Sequence, residues 1–137
     1  MTYDQKATQF IQSQMPLCAT LGMKVVKMAP DAVVVALDWH EKLCTANGLL
    51  HGGALMALAD AAGGACAFSN LPEGAAGTST IESKTNFLGG VKDGTVIATS
   101  KPLHVGGSTI VVETELRHGE KLVGKTTQTQ TVLRPKA

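Results

Sequence analysis

The stretch NGLLHGGALMALADAAGGACAF, residues 47–68, decides how this chain folds. Ala, Leu and Met dominate residues 54–62, and these are good helix formers. Asn47-Gly48 reads as a loop, His51-Gly52-Gly53 as the start of the helix, and Asn70, Pro72 and Gly74 as its end. A helix that is apolar nearly all round has to be covered on most sides. Two groups stand out in it: Asp60 puts a carboxylate in the middle and His51 an imidazole at the front. An unpaired buried charge is costly. The stretch is therefore either a helix with a polar accident, or a helix built around a reaction with Asp60 as a lone buried acid.

Working outward, Tyr3, Ala7, Phe10 and Ile11 recur at helical spacing over residues 3–14, and Pro16 stops that helix. MKVVKM and AVVVALDW are short and β-branched, with Pro30-Asp31 as the hairpin turn between them. Val33, Val35, Leu37 and Trp39 fall on one face of the second strand. After the long helix, strands are expected at 77–88, 94–104, 108–118 and 121–133, joined by GGVKDG, HVGG and RHGE. Ile110, Val112, Thr114 and Leu116 alternate with Val111, Glu113 and Glu115, the period-two mark of a sheet with one covered face. The fold class is α+β, an antiparallel curved sheet wrapped around one long central helix. One domain is expected over 1–137, with 1–16 as N-terminal helix and lead-in.

The composition excludes several functions. A 137-residue chain with 44% hydrophobic and 17% charged residues can bury a real core. A net charge of +1 lacks the basic excess of a nucleic-acid surface, so no nucleic-acid partner is expected. Asp60, Gly63 and Gly64 interrupt the longest apolar run, which argues against a membrane helix. The start, MTYDQKATQF, lacks a signal-peptide pattern. Cys18, Cys44 and Cys66 are odd in number and widely spaced, so neither a disulfide framework nor a metal site is indicated. A reduced, cytoplasmic protein is expected.

The chemistry gathers at the helix start. First-turn amides have no internal partner, glycines let a ligand approach them, and the helix dipole there favours negative charge. A carbonyl turning into an oxyanion suits such donors. Asp60 follows Gly53 by seven residues, or ~700° at ~100° per residue, so both lie on nearly one face. They are roughly 10 Å apart along the axis, too far to touch one carbonyl. Two copies of the helix lying antiparallel across a two-fold axis would bring the Asp of one to the helix start of the other. Taken singly, blander readings hold: a tight Gly-Gly turn, a satisfied loop histidine, an Asp capping a neighbouring element.

GLLHGGALMALADAAGG, TIESKTNFL and LHVGGSTIVVETELRHGEKLVGKTTQTQTVL together resemble a hotdog-fold acyl-CoA thioesterase of the phenylacetate-pathway type, from about Leu17 to Leu133. The resemblance implies a sheet around the helix, dimers pairing edge to edge, often two dimers per tetramer, and thioester hydrolysis. It implies Asp60 as general base or nucleophile, the Gly53 amide polarising the carbonyl, His51 positioning the loop and thioester end, and Thr80 near the attacking water. Thr45 stands where many relatives carry Asn or Gln, and Asn47 is close by in another register; which of the two serves is open. Gly52, Ser79, His104, Gly106, Gly107 and Ser108 are candidate substrate-binding residues; His104 lines the CoA channel or is a plain surface histidine. Gly89 and Gly107 replace basic residues that commonly meet the CoA phosphates, leaving Lys84, Lys92, Lys101 or Arg117 as substitutes, or phosphopantetheine on a carrier protein as the thiol carrier. No cofactor is expected, since CoA is part of the substrate.

A Cys44–His51 nucleophilic pair is conceivable, but nothing marks Cys44 as an activated thiolate. Two other functions compete with hydrolysis: a non-catalytic acyl-thioester binding protein with the same cleft, and a hotdog dehydratase, which the Gly-Gly after His51 fits less well.

Overall fold

The computed structural model describes residues 1–136. Its elements run α1 (Gln5–Gln14), α2 (Pro16–Leu21), β1 (Lys24–Met28), β2 (Val33–Asp38), two 3-10 turns (Glu41–Leu43 and Ala46–Gly48), α3 (Gly52–Phe68), β3 (Gly77–Phe87), β4 (Thr95–Val105), β5 (Thr109–His118) and β6 (Lys121–Leu133). Six strands form one sheet in the order β1-β2-β4-β5-β6-β3, every neighbour antiparallel. The sheet curves around α3, which is the hotdog arrangement.

Side-chain alternation explains the wrapping. Val33, Val35 and Leu37 of β2 and Ile110, Val112 and Leu116 of β5 are buried, and they meet Leu55, Leu58, Ala62 and Cys66 of α3 in one core. Trp39 is only half-buried, and its indole N–H donates to the Gly48 carbonyl (2.9 Å), pinning the loop that leads into α3. Asp4 caps α1 by accepting from the Ala7 amide (2.9 Å), and the Thr8 hydroxyl accepts from the Val25 amide (2.9 Å), tying α1 to β1.

Pro16 does more than the sequence pattern predicted. It ends α1 and also opens α2, because proline at the first helical position gives up only an amide that lacks a partner there anyway. Gly22, at φ 75°, closes α2 in the left-handed region.

Two features position the site. First, α3 is not covered on all sides: Gly53, Met56 and Asp60, spaced three and four apart, form an exposed stripe that continues through half-buried Gly64 to exposed Phe68. Asp60 is thus exposed rather than buried, and the expectation of a buried acid is corrected. Burial of Leu, Ala and Cys on the other sides accounts for the helix's composition, while the stripe is free to carry polarity. Second, β3 is an edge strand, eleven residues long, with Ile81 and Phe87 exposed. No helix among the described residues is long and apolar enough to cross a membrane.

Candidate active site

Asp60 reaches the sheet from the middle of α3. Its Oδ1 accepts from the Thr80 hydroxyl of β3 (3.2 Å) and from Gln128 Nε2 of β6 (3.3 Å). Gln128 Nε2 also donates to Gln130 Oε1 (2.9 Å), Gln130 Nε2 donates to the Thr78 hydroxyl (3.0 Å), and the Thr80 hydroxyl lies against Gln130 Oε1. Both glutamines are buried, and Gln128 Oε1 has no partner among the described residues. A buried acceptor left unpaired costs about 1–3 kcal/mol. The register of β3 against β6 shifts between Thr80 and Glu82. This bulge lets Thr78 and Thr80 face inward on one side of it and Thr85, bonded to Thr126 (2.7 Å), on the other.

Asp60 sits in a cleft of about 310 Å³ together with Thr78, Ser79, Thr80 and Gln130. The cleft's apolar wall comes from Phe10, Ile11 and Met15 near the N-terminus, Met28, and Phe68 at the end of α3. The Phe10 and Phe68 rings lie 5.9 Å apart, centroid to centroid.

His51 and Gly53 line a different cleft, with Leu17, Leu43, Cys44 and Ala57. His51 is the N-cap of α3. Its Nδ1 accepts from the Gly53 amide at 2.7 Å. The amide expected to meet a carbonyl is therefore occupied by its own chain's imidazole. The neighbouring Gly52 N–H has no partner among the described residues. Nor did sequence reasoning mark His51 as a cap, since the usual capping residues are Ser, Thr, Asp and Asn. Within one chain, Asp60 and the helix-start amides share a stripe but not a cleft.

The remaining candidates divide. Thr45 and Asn47 are exposed in the pinned loop and line neither cleft; Asn47 adopts φ 64°, which Asn tolerates better than most residues. His104, Gly106, Gly107 and Ser108 lie at the β4–β5 turn, where the Gly106 amide donates to the Thr109 carbonyl (2.9 Å). Thr109 pairs with Thr131, and Thr131 with Ser79, so that turn is two strands, about 10 Å, from the Asp60 cleft. Arg117 is engaged by Glu115 (3.3 Å) and the Glu120 carbonyl (3.0 Å). The buried glutamines were missed entirely.

The comparisons with known proteins agree with the fold. Residues 47–125 match the family model "Thioesterase superfamily", more than half of the chain. The chain belongs to the thioesterase superfamily. This thioesterase-superfamily chain is 32% identical to 1,4-dihydroxy-2-naphthoyl-CoA hydrolase of Listeria monocytogenes, over 74% of its own length and 82% of that protein's. Among solved structures it resembles conserved protein PA5202 of Pseudomonas aeruginosa (32% identity, TM-score 0.78, 85% of this chain and 93% of that one). It also resembles thioesterase HI1161 of Haemophilus influenzae (TM-score 0.86, 98% of this chain and 93% of that one), where 23% identity speaks to the fold alone.

The cysteines stand apart from this chemistry. Burial pushes the Cys66 thiol up to about 11, and burial, then the charge of Asp60, raises that of Cys18. The reactive species is the thiolate, and a raised pKa removes it at neutral pH. Native protein titrated with a chromogenic disulfide at pH 8 should therefore show only Cys44 reacting, with all three thiols reacting in denaturant. Fast modification of Cys66 in the native state would contradict its buried place.

Proposed function

We propose that this protein hydrolyses acyl-CoA thioesters, with Asp60 as general base or nucleophile and the helix-start amides of a second copy as oxyanion donors. One observation carries the reading: Asp60 and Gly53 lie on the same uncovered stripe of α3, in separate clefts, beside an unpaired edge strand. An edge strand as long as β3 exposes a row of backbone groups that a second strand can satisfy. Antiparallel pairing of β3 with its symmetry mate would bring the two stripes together and join the two half-sites. Two such dimers could associate as a tetramer.

In this reading the thioester carbonyl enters between Asp60 of one copy and α3 of the other. The Gly52 amide is free to donate, and the His51 ring turns aside to release the Gly53 amide. Asp60 either takes a proton from water as the water oxygen adds to the carbonyl carbon and returns that proton to the departing CoA thiolate, or attacks the carbon itself, expelling the thiolate and forming an acyl anhydride that water then hydrolyses, the proton released going to the thiolate. The acyl group occupies the cleft walled by Phe10, Met15, Met28 and Phe68, whose aromatic and methionine side chains suit an aryl or medium-length acyl chain. That preference agrees with the phenylacetate-pathway resemblance and with the name of the Listeria relative. For the CoA phosphates, Lys121 is the strongest candidate: its ammonium lies 3.0 Å from where a Cβ on Gly89 would be, in the space a basic side chain at 89 would use.

The test is a panel of short, medium, long and aryl acyl-CoAs with a thiol reagent that reports free CoA. Release is expected, fastest with aryl or medium acyl groups. Tight binding without release would overturn hydrolysis in favour of an acyl-thioester binding protein.

A further inference from the structure

We propose that Gln128 and Gln130 are positioning residues for the Asp60 carboxylate, and that residue 63 is glycine to seat Gln128. The proposal rests on Asp60 as the catalytic group. The donors around Oδ1 can be counted. Thr80 has one hydroxyl proton and two acceptors within reach, Asp60 Oδ1 (3.2 Å) and Gln130 Oε1. Whenever Thr80 serves Gln130, Gln128 Nε2 is the donor left to the carboxylate. Gln130 holds that amide in place, accepting its second proton at 2.9 Å and itself anchored on Thr78 at 3.0 Å.

The direction of the Gln128 amide is forced. A carboxylate only accepts, so the NH2 end must face Asp60. The carbonyl end then turns to α3, where it has no partner among the described residues. It occupies space that a side chain on α3 would fill: a Cβ on Gly63 would lie 2.2 Å from Gln128 Oε1. An amide at 128 in this position therefore requires glycine at 63. An apolar side chain would fill this buried position without an orphaned carbonyl, so the amide's gain lies in its bond to Asp60. Oδ1 is fixed, and Oδ2, which has no partner among the described residues, is the oxygen left to act on water or the thioester.

The proposal is tested by two measurements on the full chain. In steady-state hydrolysis of the best acyl-CoA from the panel, Gln128→Met should lower kcat about tenfold with little change in KM, less than the ~100-fold a 1 Å misplacement can cost. Gln128→Glu should work at low pH and fail as pH rises, because its carboxyl donates only while protonated. A merely structural Gln128 would leave the shape of the wild-type pH profile intact in both variants, and that result overturns the proposal. In thermal melting, Gly63→Ala should lower the midpoint in the wild type and raise it in a Gln128→Ala background, since alanine is the better helix former once the clash is gone. Equal shifts in both backgrounds would sink the seating claim. If Asp60→Asn keeps its rate, the catalytic reading fails and the positioning role falls with it, whereas the melting reversal would still be seen.

Discussion

Asp60→Asn is expected to lower kcat by at least ~100-fold, the lower end of what a positioned general base contributes, while KM and the fold change little. The substitution is mild in every respect but charge. Asp60 is exposed on α3, so no core packing is lost. An asparagine carbonyl can still accept from Gln128 and Thr80, so the hydrogen bonds that seat the side chain survive. What disappears is the negative charge and the basic second oxygen. Both candidate roles, proton acceptor and nucleophile, need that oxygen, and an amide nitrogen supplies neither. Steady-state kinetics on the best acyl-CoA, with a melting curve to certify folding, measure the effect. A loss below tenfold would remove Asp60 from the mechanism.

The fold was legible because apolar spacing is a local property. Leu55, Leu58 and Ala62 announced α3, and Ile110, Val112 and Leu116 announced the covered face of β5. The candidate site was legible only where one residue contradicts its neighbours in sequence, as Asp60 does. Its environment was not, for two physical reasons. Along β6, inward Thr126, Gln128 and Gln130 alternate with outward Thr127, Thr129 and Thr131, so both faces are polar and no pattern says which side is buried. On β3, the bulge after Thr80 changes which residues face inward, and a one-residue shift of that kind leaves no mark in composition. Strand order is also a long-range fact: nothing near Thr80 states that β3 lies beside β6 and leaves its other edge open. Likewise, whether the Gly53 amide is free depends on the His51 rotamer.

Mixing two inactive variants should restore activity if the site is built from two chains. Gly53→Pro deletes the amide N–H at the second position of α3, where no intrahelical bond depends on it, so the helix tolerates the ring once the His51 imidazole, whose Nδ1 lies 2.9 Å from a Cβ at 53, swings aside. It also forfeits the bond to His51 Nδ1, a cap worth ~1 kcal/mol, which a folded domain can bear. In a symmetric dimer each site takes Asp60 from one chain and Gly53 from the other. A heterodimer of Asp60→Asn with Gly53→Pro then holds one doubly damaged site and one intact site. If chains mix at random after partial unfolding and refolding together, half the dimers are of this kind, and activity should recover to about a quarter of the wild-type rate. Each homodimer alone should stay near background. A site contained in a single chain predicts no recovery at any mixing ratio. The two outcomes therefore separate a shared centre from a private one without a ligand-bound structure, and persistent silence of the mixture would place both half-sites back in one protomer.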